Sequence, residues 1–131
     1  MTDLFAKIKE VTELDGISAH EGQVRDYLRQ KITPLVDRVE TDGLGGIFGI
    51  KESSVVQAPK VLVAAHMDEV GFMLTEIKTD GTLRAVDIGG WNPLVISSQR
   101  FCLYTRHGRK IPLISGSVPP HVLSKKGGNG L

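Results

Sequence analysis

The most informative stretch of this chain is Val61-Leu62-Val63-Ala64-Ala65-His66-Met67-Asp68-Glu69-Val70-Gly71. Five consecutive small or branched apolar residues run directly into His66, and Asp68 follows two positions later. Such a run predicts a strand over residues 60–66 that is buried on both faces, as in a parallel sheet. Alternate side chains of a strand share a face, so His66 and Asp68 should lie together where the strand ends. Ligands of open α/β sheets bind beyond those ends, so the stretch predicts both an α/β fold and a site.

Two interpretations of His66 remain open from the residues alone. A neutral imidazole is the commonest protein ligand of transition metals, and a nearby carboxylate such as Asp68 can fix its tautomer. The alternative is a hydrogen-bonded structural histidine at a strand end. A catalytic zinc needs about three protein ligands, and no second histidine or cysteine lies close to His66 in the sequence.

Composition limits the class of protein. The 131 residues are 40% hydrophobic and 24% charged, which suits a globular chain about one domain in length. A net charge of +1 gives no electrostatic footprint for nucleic acid or an acidic membrane surface. The single cysteine, Cys102, excludes an internal disulfide and fits a reducing compartment. With no signal-like or membrane-spanning apolar segment, we expect a soluble cytoplasmic protein.

The first half of the chain predicts helices and strands. Apolar residues at helical spacing predict a helix from Leu4 to Leu14, ended by Asp15-Gly16. A second helix should begin near Ser18, because Ser18 and Glu21 have the spacing of a capping box. Extended structure is predicted at residues 38–41 and 47–50, in addition to the strand at 60–66.

The second half predicts consecutive short strands. Residues 72–77 and 83–88 flank Asp80-Gly81, a strong hairpin signal, and residues 101–105 and 110–114 flank His107-Gly108. Helices therefore stop near residue 35, which predicts two structural units rather than one.

Other candidate groups favour structural roles. The glycine-rich turn at residues 42–46 lacks the lysine and the third glycine of nucleotide-binding loops, so a tight turn is favoured. Cys102 is predicted to be a small packing residue, and Glu69 should point away from Asp68. Structural or undecided roles are predicted for four further side chains: His20, Trp91, His107 and His121.

Five motifs together carry a resemblance to a known family. They occur in the order Gly16-Ile17-Ser18-Ala19-His20-Glu21-Gly22, Glu40-Thr41-Asp42-Gly43-Leu44-Gly45, Ala65-His66-Met67-Asp68-Glu69-Val70-Gly71-Phe72, Gly89-Gly90-Trp91 and Ser115-Gly116-Ser117-Val118-Pro119-Pro120-His121. Up to about residue 121 the chain resembles the N-terminal part of the glutamyl aminopeptidase group within the tetrahedral aminopeptidase family. Some relatives in that family have been labelled endoglucanases.

The resemblance implies a cytoplasmic metallopeptidase that removes N-terminal, often acidic, residues from short peptides. It implies a mixed-sheet α/β catalytic domain interrupted by an inserted β-barrel, and assembly into dimers and dodecamers. Residues 1–71 would then be the N-terminal portion of the catalytic domain, and residues 72–131 a partial barrel used for dimerisation, with a flexible tail. By the same resemblance His66 is a metal ligand and Asp68 is the acidic catalytic residue that orients it. The complete family site holds two divalent ions (zinc, cobalt or manganese) that activate a bridging water, with a glutamate as general base.

The resemblance also implies that the site is incomplete in this chain. The family's remaining ligands and paired glutamates follow the insertion, whereas no glutamate follows Glu76 here, and the likeness ends around Val122. We therefore expect an aminopeptidase sequence that is inactive alone, with a self-associating non-catalytic module as the alternative. An endoglucanase is disfavoured because no pair of carboxylates at glycosidase separation can be argued.

Overall fold

The computed structural model describes residues 3–117 of the chain. This region contains two α-helices, six β-strands and two short 3₁₀ turns. The helices are α1 (Leu4–Thr12) and α2 (Gly22–Ile32). The strands are β1 (Arg38–Thr41), β2 (Ile47–Ile50), β3 (Gly71–Ile77), β4 (Leu83–Ile88), β5 (Arg100–Tyr104) and β6 (Lys110–Ile114). The 3₁₀ turns are Thr33–Leu35 and Pro93–Val95.

The six strands form three separate antiparallel hairpins, and two of these are the hairpins predicted for the second half of the chain. β1 pairs with β2, β3 with β4 and β5 with β6. In the first hairpin, the Asp42 carboxylate accepts hydrogen bonds from the amides of Leu44 (3.0 Å) and Gly46 (2.7 Å). The glycine-rich segment therefore makes a tight turn closed by its own aspartate, as predicted.

The described residues divide into two compact units, one ending at Gly90 and the other beginning at Trp91. The first contains both helices and the hairpins β1–β2 and β3–β4, and the second contains β5–β6. The hairpin β3–β4 thus lies in the first unit, although the sequence places it after a domain boundary at residue 71. Whether residues 72–131 belong to an inserted barrel domain stays a prediction.

The prediction of a buried strand at residues 60–66 is wrong for this structure. The segment has no strand partner in the described region, and Val61, Leu62 and Val63 are 84%, 82% and 91% exposed. A strand needs hydrogen-bonding neighbours, and a strand buried on both faces also needs two covering layers. The described part of the chain supplies neither neighbouring strands nor covering layers for this segment. Each of its sheets consists of two consecutive strands that pair with each other.

The predicted capping box at the start of the second helix is also wrong. α2 begins at Gly22, and Ser18 makes no cap because its hydroxyl donates to Asp68 instead. Glu21 is the N-cap residue without a side-chain bond to the helix, and its carboxylate accepts from the amide of Ala19 at 2.8 Å. The polar side chains that suggested a cap therefore bind a neighbouring segment and a local turn.

The apolar core of the described residues is small. Val24 of α2 is 6% exposed and is the buried apolar side chain of this region; it lies against the buried Gly16. A Cβ on Gly16 would come within 2.9 Å of Val24 Cγ2, so the close approach requires glycine. The apolar face of α1 is left open, with Leu4, Phe5 and Ile8 all exposed. Among residues 3–117, no helix has the length and apolarity needed to span a bilayer.

Candidate metal centre

His66 and Asp68 are in direct contact, as their spacing predicts. His66 Nδ1 lies 3.0 Å from Asp68 Oδ1 and 2.9 Å from the backbone carbonyl oxygen of Asp68. The contact therefore forms without the strand that was expected to position it. The His66 side chain is 85% exposed and that of Asp68 is 38% exposed. The ring is accessible, while the carboxylate that holds it is partly covered.

The two acceptors around Nδ1 define the state of the His66 ring. A backbone carbonyl can only accept a hydrogen bond, and an ionised carboxylate also only accepts. Nδ1 must therefore carry a proton and donate, which leaves the lone pair of a neutral ring on Nε2. An exposed imidazole with Nε2 free and Nδ1 bound to a carboxylate has the arrangement found in metal-ligating histidines.

Ser18 is a part of this site that the sequence interpretation missed. Its hydroxyl donates to Asp68 Oδ2 at 2.5 Å, from a position 50 residues away in the chain. The two oxygens of the Asp68 carboxylate thus bind different partners, Ser18 on one side and His66 on the other. The spacing of Ser18 and Glu21 predicts a helix cap instead, and the sequence carries no signal for a contact at such separation.

A short backbone contact fastens the Ser18 segment to the His66–Gly71 segment. Ile17 and Glu69 form an isolated parallel bridge, and the amide of Glu69 donates to the carbonyl of Gly16 at 2.8 Å. The Glu69 carboxylate returns to accept from the Gly16 amide at 3.2 Å. The backbone and the side chain of Glu69 therefore both bind Gly16 and hold the two segments together.

Gly71 permits the closest part of this contact. A Cβ at Gly71 would lie 2.2 Å from Ile17 Cγ2 and 3.2 Å from Ile17 Cβ. These atoms are next to the backbone of Ile17, so they cannot move aside as the end of a long side chain could. The absence of a side chain at Gly71 therefore allows residues 16–18 to reach the site.

The environment keeps Asp68 ionised. The hydrogen bond from Ser18 is the largest influence that lowers the pKa of the Asp68 carboxyl below its usual range. Partial burial opposes this effect, and the hydrogen bond with His66 adds to the lowering. At neutral pH Asp68 is therefore an acceptor for both partners.

The metal-donor groups present fit one ligand position of a metal site and not a complete set of ligands. Within residues 3–117, no group of three or more histidine, cysteine, aspartate or glutamate side chains is placed to hold a metal. The donors present are the Nε2 lone pair of His66 and its supporting carboxylate. A catalytic zinc takes about three protein ligands plus a water, so further ligands must come from elsewhere.

The structure also bears on the remaining candidates from the sequence. Trp91 packs edge-to-face on Phe101, with ring centroids 5.9 Å apart, which supports its interpretation as a packing anchor. Cys102 lies exposed in β5 opposite Pro112, so its prediction as a packing residue is wrong. His107 is exposed in the turn between β5 and β6. His121 lies outside the described residues.

Residues 45–130 match the family described as M42 glutamyl aminopeptidase. A glutamyl aminopeptidase from Lactococcus lactis is 56% identical over 125 residues, which are 95% of this chain and 35% of that protein. The sequence match thus covers both hairpins of the second half and the His-x-Asp segment. The chain belongs to the M42 glutamyl aminopeptidase family.

Solved structures agree with this assignment. An aminopeptidase from the archaeon Desulfurococcus kamchatkensis superposes with a TM-score of 0.84 at 35% identity, over 92% of this chain and 33% of that one. The TET1 peptidase of Pyrococcus horikoshii, described as assembling into a tetrahedron or a large octahedral shell, gives a TM-score of 0.72 at 28% identity. That match covers 90% of this chain and 34% of the other. The chain therefore spans about a third of the length of these proteins.

Proposed function

We propose that this chain provides the N-terminal third of a metal-dependent aminopeptidase that removes N-terminal, often acidic, residues from peptides. The observation that supports the proposal most directly is the His66–Asp68 contact, which presents a free Nε2 lone pair. It occurs in a chain that is 56% identical to a glutamyl aminopeptidase along 95% of its own length.

In this proposal His66 binds a divalent ion through Nε2, and Asp68 holds the ring by its Nδ1 proton. A divalent ion in such a site lowers the pKa of bound water and polarises the scissile carbonyl. The reaction is hydrolysis: water adds at the first peptide carbonyl, the C–N bond breaks, and the departing amine takes a proton. Zinc, cobalt and manganese are the candidate metals, and the complete site would hold two ions.

The isolated chain should be inactive, because His66 is one ligand and its supporting carboxylate is already occupied on both oxygens. The missing ligands and the general base would come from polypeptide equivalent to the two thirds of the relatives that this chain does not span. We propose a cytoplasmic enzyme that forms homo-oligomers, since the Pyrococcus horikoshii relative assembles into shells. Residues 72–131 would be the first part of an inserted barrel that serves dimerisation.

A hybrid protein tests this function. Residues 1–121 of this chain would replace the matching part of the Lactococcus lactis glutamyl aminopeptidase, and release of p-nitroaniline from glutamyl p-nitroanilide would be measured. We expect metal-dependent turnover in the hybrid and none from the 131-residue chain with zinc, cobalt or manganese. His66→Ala should abolish turnover and weaken metal binding, because it removes the Nε2 donor.

His107→Ala is the matched control, since it removes an exposed imidazole from a hairpin turn in the second unit. It should leave turnover unchanged. Full activity of the hybrid carrying His66→Ala would contradict the proposed ligand. Metal-dependent turnover by the pure 131-residue chain would contradict the incomplete site.

A second candidate function is a non-catalytic association module, favoured by the exposure of Val61, Leu62 and Val63. Contiguous apolar surface of this kind drives association of chains. Light scattering should then show the chain as an oligomer, and a well-behaved monomer over a wide concentration range would contradict this function.

A further inference from the structure

Both oxygens of the Asp68 carboxylate are engaged, and the partner on the far side from His66 is Ser18. The Ser18 hydroxyl donates to Oδ2 at 2.5 Å, while Oδ1 lies 3.0 Å from His66 Nδ1. A carboxylate bound at one oxygen can still turn about its side-chain torsions, whereas one bound at both has its plane fixed. Ser18 thus limits where Oδ1 can be.

We propose that Ser18 is a positioning residue: by fixing the Asp68 carboxylate, it keeps the proton of His66 on Nδ1 and directs Nε2 toward the metal. The inference rests on the proposed function for the identity of the ligand. The positioning itself concerns the ring of His66 in the chain as it stands.

Backbone contacts on both sides of Ser18 hold its hydroxyl in place. The bridge between Ile17 and Glu69 sets the preceding residue, and the amide of His20 donates to the carbonyl of Ile17 at 2.8 Å to close a turn. Within that turn Ala19 has a φ of 68°, in the left-handed region that costs energy for a residue with a Cβ. Ser18 is half-buried between these two fixed points, so its hydroxyl has little freedom of its own.

His66 has little else to hold it. Its side chain is 85% exposed, and the contacts described for the ring are all with Asp68. If Oδ1 moves, Nδ1 retains the carbonyl of residue 68 as an acceptor, and this single bond leaves the ring freer to rotate. The loss of Ser18 should therefore be visible in the proton distribution of a ring that Ser18 does not touch.

Nitrogen NMR of the ¹⁵N-histidine-labelled 131-residue chain, without metal, tests the inference. The two ring nitrogens of a neutral imidazole differ clearly in shift according to which one carries the proton, so the spectra are recorded at about pH 8. The His66 signals are assigned by their loss in His66→Gln. The wild-type chain should show Nδ1 protonated and Nε2 unprotonated.

Ser18→Ala should move both His66 nitrogens toward the averaged shifts of an exchanging ring, whereas Ser18→Thr, which keeps the hydroxyl, should restore the wild-type shifts. Ser53→Ala is the matched control, because the Ser53 hydroxyl accepts from the Val55 amide in an exposed loop. It should leave the His66 signals unchanged. If Ser18→Ala does not fold, Ser18→Cys keeps a weak donor of similar size, and it should give an intermediate shift.

Unchanged His66 shifts in Ser18→Ala would overturn the inference, provided that intact Gly71 and Val24 amide signals in a second, uniformly ¹⁵N-labelled sample show the variant to be folded. So would equal shifts in the alanine and threonine variants, since these would show that the hydroxyl has no part in fixing the ring. Titration with Zn²⁺ separates this result from the proposed function. Failure of Zn²⁺ to move Nε2 of His66 in the hybrid protein, which carries the remaining ligands, would count against His66 as a ligand, while the serine series in the 131-residue chain would still decide the positioning.

Discussion

Two adjacent segments of the first unit, Val61–Ala65 and His66–Gly71, differ in what holds them. The first consists of apolar residues that are exposed and have no strand partner in the described region. The second is fastened to residues 16–18 by a parallel bridge, a glycine contact and two side-chain hydrogen bonds. The boundary between the two lies between Ala65 and His66.

The difference shows that the contact between His66 and Asp68 can form although the apolar residues that precede it are not packed in a sheet. Directional bonds from one nearby segment are enough to place Asp68 and His66. An apolar strand needs area on both faces and partners at both edges, which a single local contact does not supply. The geometry of His66 and Asp68 therefore does not depend on the formation of a strand at residues 60–66.

The largest expected effect comes from charging the apolar segment. Leu62→Lys with Val63→Lys should weaken association of the chain by roughly 10²–10⁴-fold, because each buried apolar side chain contributes about 1.5–3 kcal/mol. Sedimentation over a range of concentrations measures the change. The His66 ring shifts should not move, since the neighbouring segment is held separately.

Thr79→Lys is the control for added charge, as Thr79 lies exposed in the turn between β3 and β4. An unchanged sedimentation profile in the double variant would show that Val61–Ala65 is not the associating surface. A disturbed His66 ring in that variant would show that the two segments are coupled after all.

A smaller effect is expected from breaking the contact that fastens the site. Gly71→Ala places a Cβ 2.2 Å from Ile17 Cγ2, and overpacking of this kind costs about 1–3 kcal/mol. Residues 16–18 should separate from the site, and hydrogen exchange of the Glu69 amide should accelerate by roughly tenfold or more.

Gly90→Ala is the matched control, because among the described residues, apart from its two chain neighbours, no atom lies within 4 Å of a Cβ at that position. Adding Ile17→Ala to Gly71→Ala should recover part of the protection by removing the clashing atoms. Equal exchange of the Glu69 amide in Gly71→Ala and in the wild-type chain would contradict the proposed fastening.

The smallest effect concerns α1. Like the two segments compared above, this helix combines an exposed apolar face with polar hydrogen bonds to a neighbouring element. Its apolar face is exposed, and Glu10 links it to α2 by accepting from the Tyr27 hydroxyl at 2.8 Å and from Lys31 Nζ at 3.1 Å. The Tyr27 hydrogen bond first, and then Lys31, lower the pKa of the Glu10 carboxyl.

A carboxyl with a lowered pKa stabilises the folded state above its unfolded pKa, and this contribution is lost as the pH falls through the folded value. The link between α1 and α2 should therefore weaken as the pH drops below about 4.3, the ordinary glutamate value. Tyr27 ring shifts followed by NMR against pH measure it. Glu10→Gln should flatten the profile, and Glu13→Gln, which affects a 3.8 Å ion pair with Lys9 at the C-terminal end of α1, should not.

The sequence predicts the elements whose partners are close in the chain. The β3–β4 hairpin follows from Asp80-Gly81, and α1 follows from its apolar spacing, because both depend on residues within a few positions. The prediction of a strand at 60–66 rests on a run of apolar residues, whereas the formation of that strand depends on partners that no local pattern specifies.

The candidate site shows the same limit. The proximity of His66 and Asp68 follows from a spacing of two residues. The role of Ser18 does not, because a serine followed by Glu21 satisfies the pattern of a helix cap equally well. The competing bond comes from 50 residues away, and a single sequence carries no signal of that separation.

The three hairpins have a consequence for the order in which such a polypeptide acquires structure. Hairpins of sequence neighbours form in about 1–10 μs, far faster than ribosomes add residues at about 5–20 per second. In a relative about three times as long as this chain, the counterpart of Val61–Ala65 would emerge early and wait on the order of ten seconds or more for later partners. During that interval the segment would expose contiguous apolar surface, which favours association with other chains.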